Sequence, residues 1–186
     1  MEKGVRLPNA SARACGARKK IFVKRVRMSF VEVRAMLKVK DIMVTEIVTV
    51  DVGVSVRKAV ERMNSNEIGC LVVLEKGHYA GILTERDVLT RVVANAHNPE
   101  EVLVGQIMSK PLTVVDPEAS LEEAVALMLE KKVKKLPVIK ADKLIGLITI
   151  TDIASVHPGM VKFIRELSVK YDIPKRIKKV MDYYVA

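Results

Sequence analysis

Apolar residues along this chain recur with two different periods, and the alternation between them lays out the expected elements. Val56, Ala59, Val60 and Met63 fall at i, i+3, i+4 and i+7, which is one face of a helix. Leu121, Ala124, Val125 and Met128 repeat that stripe. Ser120 stands just ahead of the second stripe with Glu123 three residues on, a capping box in which each side chain satisfies the other's backbone amide. The short apolar runs Leu71–Leu74 and Leu136–Ile139 predict strands. Lys76-Gly77-His78 and Ala141-Asp142-Lys143 supply the turns after them. Returning strands are expected at Ala80–Leu83 and Ile145–Ile148, with helices beginning at Thr84 and Thr149. Ile47–Val50 is a further short β-rich run.

The pattern is doubled. Residues 39–88 set over 104–153, a constant offset of 65, align without gaps and agree at fourteen of fifty positions. Ile42-Met43 matches Ile107-Met108, and Gly81, Thr84 and Asp87 match Gly146, Thr149 and Asp152. Each unit reads as β-α-β-β-α and is too short to bury a good core alone. Two units packed about a pseudo-twofold axis remove that difficulty, so the expected fold class is α/β (α+β), one pseudo-symmetric module with terminal extensions. The boundaries follow: a basic extension over 1–38, repeat 1 over 39–99, repeat 2 over 104–156 and a helical tail over 157–186.

Charge changes this picture only at the ends. The 186 residues carry a formal net charge of +10. Residues 1–40 hold 12 basic and 2 acidic side chains, whereas residues 41–153 hold 13 and 17. The module is therefore mildly acidic, and the arm accounts for the basic excess. Arg18-Lys19-Lys20 and Lys24-Arg25-Val26-Arg27 could bind nucleic acid by counterion release, with only Phe22 and Phe30 available for stacking. Met28 offers an alternative start that would remove residues 1–27 from the mature chain. In the tail, Met160, Ile164, Leu167 and Tyr171 share a helical face, Pro174 ends it, and Ile177, Val180, Met181 and Tyr184 form a second stripe.

Several chemistries are excluded. No apolar run reaches the roughly 18–20 residues of a membrane span. Cys15 and Cys70 lack a CxxC spacing, and the absence of a disulfide framework favours the cytoplasm. Ser55-Val56-Arg57-Lys58 matches the S-x-x-K of serine acyl-transfer enzymes, but Glu123 replaces the lysine in repeat 2 and both serines sit at helix N-caps. His78, His97 and His157 are isolated, with no metal-ligand spacing.

The surviving chemistry is the doubled G-h-h-T-x-x-D. Gly81 and Gly146 let a ligand or a neighbouring backbone approach closely. Thr84 and Thr149 open helices whose free amides favour phosphate, and one turn on Asp87 and Asp152 can accept ribose hydroxyls. T-x-x-D is also a capping box that needs no ligand.

These motifs in this order, with Asp41-Ile42-Met43, Ser55 and Ala59, then Gly81-Ile82-Leu83-Thr84-Glu85-Arg86-Asp87, and again in repeat 2, resemble a tandem CBS (cystathionine β-synthase) domain pair over about residues 39–156. The resemblance implies a regulatory sensor of AMP, ADP, ATP or S-adenosylmethionine, not an enzyme, with no obligatory cofactor. It implies two half-similar sites. The first takes Val48, Gly69, Cys70, Thr84 and Asp87, with Arg86 as a phosphate partner. The second takes Thr113, Lys135, Leu136, Pro137, Thr149 and Asp152. Lys134 and Lys135 stand where Gly69 and Cys70 stand in repeat 1, so either lysine turned into its cleft makes the second site the more anion-friendly. Two pairs are further implied to associate as a disc-like homodimer read by a regulated partner protein. The competing reading is a nucleic-acid binder that uses the arm and needs the module only to dimerise.

Overall fold

In the computed structural model, residues 37–156 and 175–185 are described. The basic arm and the face from Met160 to Tyr171 lie outside them. Repeat 1 runs α1 (Val39–Ile42), β1 (Thr49–Asp51), α2 (Val56–Ser65), β2 (Cys70–Glu75), β3 (His78–Thr84) and α3 (Glu85–Arg91). Repeat 2 runs α4 (Val104–Ile107), α5 (Leu121–Glu130), β4 (Lys135–Lys140), β5 (Lys143–Thr149) and α6 (Ile150–Val156). The tail adds α7 (Lys175–Val185).

The local signals explain most of these boundaries. Ser120 Oγ accepts from Glu123 N at 3.1 Å while Glu123 Oε2 accepts from Ser120 N at 2.8 Å, closing the expected box at the start of α5. Ser55 opens α2 more weakly, accepting from Lys58 N at 3.5 Å without a reciprocal carboxylate. The β2–β3 turn places Lys76 and Gly77 at φ 51° and 81°, and the β4–β5 turn places Ala141 and Asp142 at 47° and 60°. Paired left-handed residues give a two-residue turn the twist that antiparallel strands require.

In sheet one, β2 pairs in parallel with β1 (Thr49↔Val72) and antiparallel with β3 (Cys70↔Thr84). β4 and β5 reproduce the second pairing in the same register, Lys135↔Thr149, with the same irregularity after Val138 as after Val73. The parallel pairing shrinks in repeat 2 to a single bridge, Val115↔Val138. Proline explains this. Val72 N donates to Val48 O at 3.3 Å, but its counterpart Pro137 has no N–H to offer Thr113.

The repeats do not pack as the sequence divides them. Val39 from the opening turn is fully buried among Leu121, Ile148 and Ile153 of repeat 2, while Val104, Ile107 and Met108 are buried among Val56, Leu71 and Leu83 of repeat 1. Bridges record the same exchange in matched pairs. Lys38 meets Ser120 as Leu103 meets Ser55, and Val44 meets Leu147 as Ser109 meets Ile82. Each opening segment therefore completes the other repeat's core, and the pseudo-twofold axis is real in packing as well as in sequence.

This exchange also accounts for the doubled glycine. A Cβ on Gly81 would stand 2.7 Å from Ser109 O and 2.8 Å from Met108 Sδ, and one on Gly146 would collide with the Met43 side chain. The close approach is made by the exchanged neighbour.

The tail helix covers one repeat only. Ile177 is fully buried in the repeat 2 core beside Val125, Leu129, Ile153 and Ala154, all at most 1% exposed. The corresponding face of repeat 1 offers Val60, Asn64, Val88 and Leu89, with Leu89 59% exposed. Asn64 in place of Leu129 makes the repeat 1 face more polar than its counterpart, although Leu89 stays exposed on it.

Candidate ligand cleft between the repeats

An open cleft of about 790 Å³ lies between the repeats, within the range that holds a small organic ligand. One wall comes from the end of β3 and the start of α3, with Thr84, Arg86 and Asp87. The other comes from repeat 2, with Thr113 and the segment from Lys131 to Lys135, and Ser109 and Lys110 form the floor between them.

Thr84 and Asp87 form a complete capping box. Asp87 Oδ2 accepts from Thr84 N at 2.9 Å and from Thr84 Oγ1 at 2.5 Å, and Thr84 Oγ1 accepts from Asp87 N at 3.3 Å. The other carboxylate oxygen is also engaged. Asp87 Oδ1 accepts from Ser109 Oγ at 3.0 Å and lies 3.5 Å from Arg91 Nη2. Arg91 in turn donates to the carbonyls of Ile107 and Met108, at 2.7 and 2.9 Å. Asp87 is 7% exposed, and its carboxylate accepts three hydrogen bonds and pairs with Arg91. This network ties α3 of repeat 1 to the segment that opens repeat 2.

Thr149 and Asp152 repeat only the cap. Asp152 Oδ2 accepts from Thr149 N and Oγ1, at 2.9 and 2.7 Å. Val44 and Val156 occupy the positions of Ser109 and Arg91, so neither tie can form there. Among the described residues, Asp152 Oδ1 has no partner and is open to a donor.

The twelve residues singled out from sequence are grouped differently in space. Gly69, Thr84, Arg86 and Asp87 share one cleft with Thr113 and Lys135, which belong to the other repeat. Leu136 and Pro137 are buried in β4 and do not line it, and Val48 packs against the repeat 1 core. Thr149 and Asp152 lie on the pseudo-symmetric side, beside the Val44–Leu147 bridge. Cys70 is buried and touches Lys135. Burial pushes the thiol's pKa up, and the neighbouring ammonium opposes that rise. Cys70 and Lys135 are each other's counterpart, as are Tyr79 and Leu144, whose amide donates to the Tyr79 hydroxyl at 3.1 Å. Both pairs mark the axis.

The CBS domain family model matches residues 39–94 and 104–159, more than half of the chain. The chain belongs to the CBS-domain family. An uncharacterized protein of Methanopyrus kandleri is 39% identical over 112 residues, covering 59% of this chain and 57% of that relative. The CBS domain-containing protein YhcV of Bacillus subtilis is 32% identical over 119 residues, covering 64% and 84%. This CBS pair thus spans little more than half of the Methanopyrus relative and most of the Bacillus one. A hexameric CBS-CP12 protein from bloom-forming cyanobacteria superimposes with a TM-score of 0.61 at 26% identity, covering 80% of this chain and 96% of its own. The Hypoxic Response Protein I structure, described with two coordinated zinc ions, gives 0.56 at 28% identity, covering 64% and 98%. Among the described residues of this CBS pair, no three His, Cys, Asp or Glu side chains converge as metal ligands, and no helix is long and apolar enough to cross a membrane.

Lining residues of the CBS cleft that were not singled out from sequence include Ser109, Lys110, Arg91, Lys131 and Lys132. Ser109 and Lys110 directly follow Ile107-Met108, which the internal repeat marks by its match to Ile42-Met43. Their position in the cleft follows from the exchange of opening segments, which the alignment of one repeat on the other does not encode.

Proposed function

We propose that this CBS pair is a stand-alone regulatory module. It takes up an adenine-containing ligand (AMP, ADP, ATP or S-adenosylmethionine) between its repeats and transmits ligand state to a partner protein. The observation that carries this reading is the cleft itself, where the Thr84–Asp87 cap of one repeat faces Thr113 and Lys135 of the other. A ligand held there touches both repeats, so its binding free energy depends on how they are arranged and shifts that arrangement.

The transmission step has a physical candidate. Asp87 Oδ1 is engaged by Ser109 and Arg91, so a ribose diol that binds it competes with both. Ligand uptake thereby exchanges a tie between the repeats for bonds to the ligand, and a partner contacting either repeat senses that exchange. No residue is assigned a catalytic role. Two pairs associating through the open face of repeat 1, where Leu89 and Val93 are 59% and 61% exposed, is the accompanying proposal for assembly.

A thermal-shift panel tests the reading. A ligand at 100 times its Kd stabilises by about 2.7 kcal/mol. At least one of the four adenine compounds is expected to raise Tm at millimolar concentration, and the rise is expected to shrink in Asp87→Ala. No shift with any of them would refute the sensor reading.

A further inference from the structure

We propose that this cleft selects ligands with a chain of two or three phosphates, and that each protein chain binds one such ligand. The nucleoside part of the proposal rests on the sensor reading above, whereas the phosphate part stands on charge alone.

Seven cationic side chains line the cleft against two acidic ones, Glu85 and Asp87. Arg91 donates to main-chain carbonyls and Lys131 pairs with Glu130 at 2.8 Å, and each keeps its positive charge at the cleft. Arg86 lies on one wall, Lys132, Lys134 and Lys135 on the other, and Lys110 on the floor between them. Like charges gathered in a concave site with low-dielectric walls repel one another and focus a positive potential that draws in anions. A single phosphate carries too little charge, and spans too little of the cleft, to meet cations on both walls. A di- or triphosphate chain is extended and carries more charge, and it can reach both.

The molecule contains its own control. At the offset of 65, the counterparts of Lys131 and Lys132 are Asn66 and Glu67, and those of Lys134 and Lys135 are Gly69 and Cys70. Lys110 corresponds to Thr45, Arg86 to Thr151 and Arg91 to Val156. None of the seven cations is retained, and one becomes acidic. The fold is equivalent on both sides of the axis, so the charge is not a requirement of the fold. The side of Thr149 and Asp152 has Lys134 and Lys135 beside Thr149 at the start of β4, but it lacks the other five cations and gains Glu67, so it favours a polyphosphate less than the cleft does.

Calorimetric titration of the full chain with ATP, ADP, AMP and inorganic tripolyphosphate tests this. ATP is expected to bind at one per chain, at least tenfold tighter than AMP, and to weaken more than AMP when salt is raised. Lys132→Gln/Lys135→Gln should cut the ATP-to-AMP preference by about tenfold, while Lys76→Gln, in the distant β2–β3 turn, leaves it unchanged. A thermal melt of each variant confirms that it is folded. AMP binding as tightly as ATP, or two ATP per chain, would overturn the proposal while leaving the sensor reading intact. Tripolyphosphate binding with no preference for adenine compounds would uphold it and refute the adenine sensor.

Discussion

Gly81→Ala isolates the contact on which the exchange of opening segments depends. The glycine is buried in β3, and the added methyl carbon would stand 2.7 Å from a main-chain oxygen, Ser109 O. That oxygen cannot swing aside alone, because Ile82 N donates to it at 3.0 Å and Ser109 N donates back to Ile82 O at 2.8 Å. Overpacking costs about 1–3 kcal/mol, and parting the two strands adds about 1 kcal/mol for each hydrogen bond weakened. Reduced chain entropy in the unfolded state returns about 0.4–1 kcal/mol. The net expectation is a loss of about 2–4 kcal/mol, or a fall in Tm of about 5–15 °C for a chain of this size. Urea unfolding followed by circular dichroism measures the loss, and amide exchange at Ile82 and Ser109 reports whether that strand pair has opened. Two companions sharpen the test. Gly146→Ala meets the flexible Met43 side chain in place of backbone and should cost less, and Gly53→Ala, whose Cβ would meet Asp51 Oδ1 at an ordinary 3.4 Å, should be near neutral. A Gly81→Ala chain as stable as wild type, or a Gly146→Ala chain that loses more, would refute the reasoning.

Ile177→Ala should cost about 2–4 kcal/mol, because a fully buried side chain at the repeat 2 core is cut back and leaves a cavity; urea midpoints and proteolysis of the tail check it. Ser120→Ala should cost about 1 kcal/mol through the lost cap, and Ser55→Ala less, since Ser55 has no reciprocal partner; equal urea midpoints for the two variants would contradict this. Hydrogen bonds from Lys38 and Lys40 hold the exposed Glu118 carboxyl at about 2, below its usual 4.5. A carboxyl depressed in the folded state adds stability above its unfolded pKa that is lost as pH falls through the folded one. Glu118→Gln should therefore flatten the loss of stability between about pH 4.5 and 2 at low salt, with the difference fading in 1 M NaCl; superimposable acid-unfolding curves would count against it. Ser109→Ala frees one acceptor position on Asp87 and should strengthen binding of any ligand that uses a ribose diol there, read as a lower Kd by calorimetry.

The sequence by itself determined whatever is local or repeated. Stripes such as Val56, Ala59, Val60 and Met63, the Ser120–Glu123 box and the Thr84–Asp87 and Thr149–Asp152 pairs act over three to seven residues, and the chain forms them wherever it folds. The offset of 65 made the two halves equivalent and so required a pseudo-twofold module. What equivalence leaves open is whether a segment completes its own repeat or the other one, because both choices satisfy the same hydrophobic pattern. Only packing across the axis decided that Val39 belongs to the core of Leu121 and Val104 to that of Val56. From that decision follow the neighbour of Gly81, the tie from Ser109 to Asp87, and the meeting of Arg86 with the lysines of the opposite repeat. The physical reason is range: propensity and capping are read within a turn of helix, whereas the cleft is built from contacts between residues tens of positions apart.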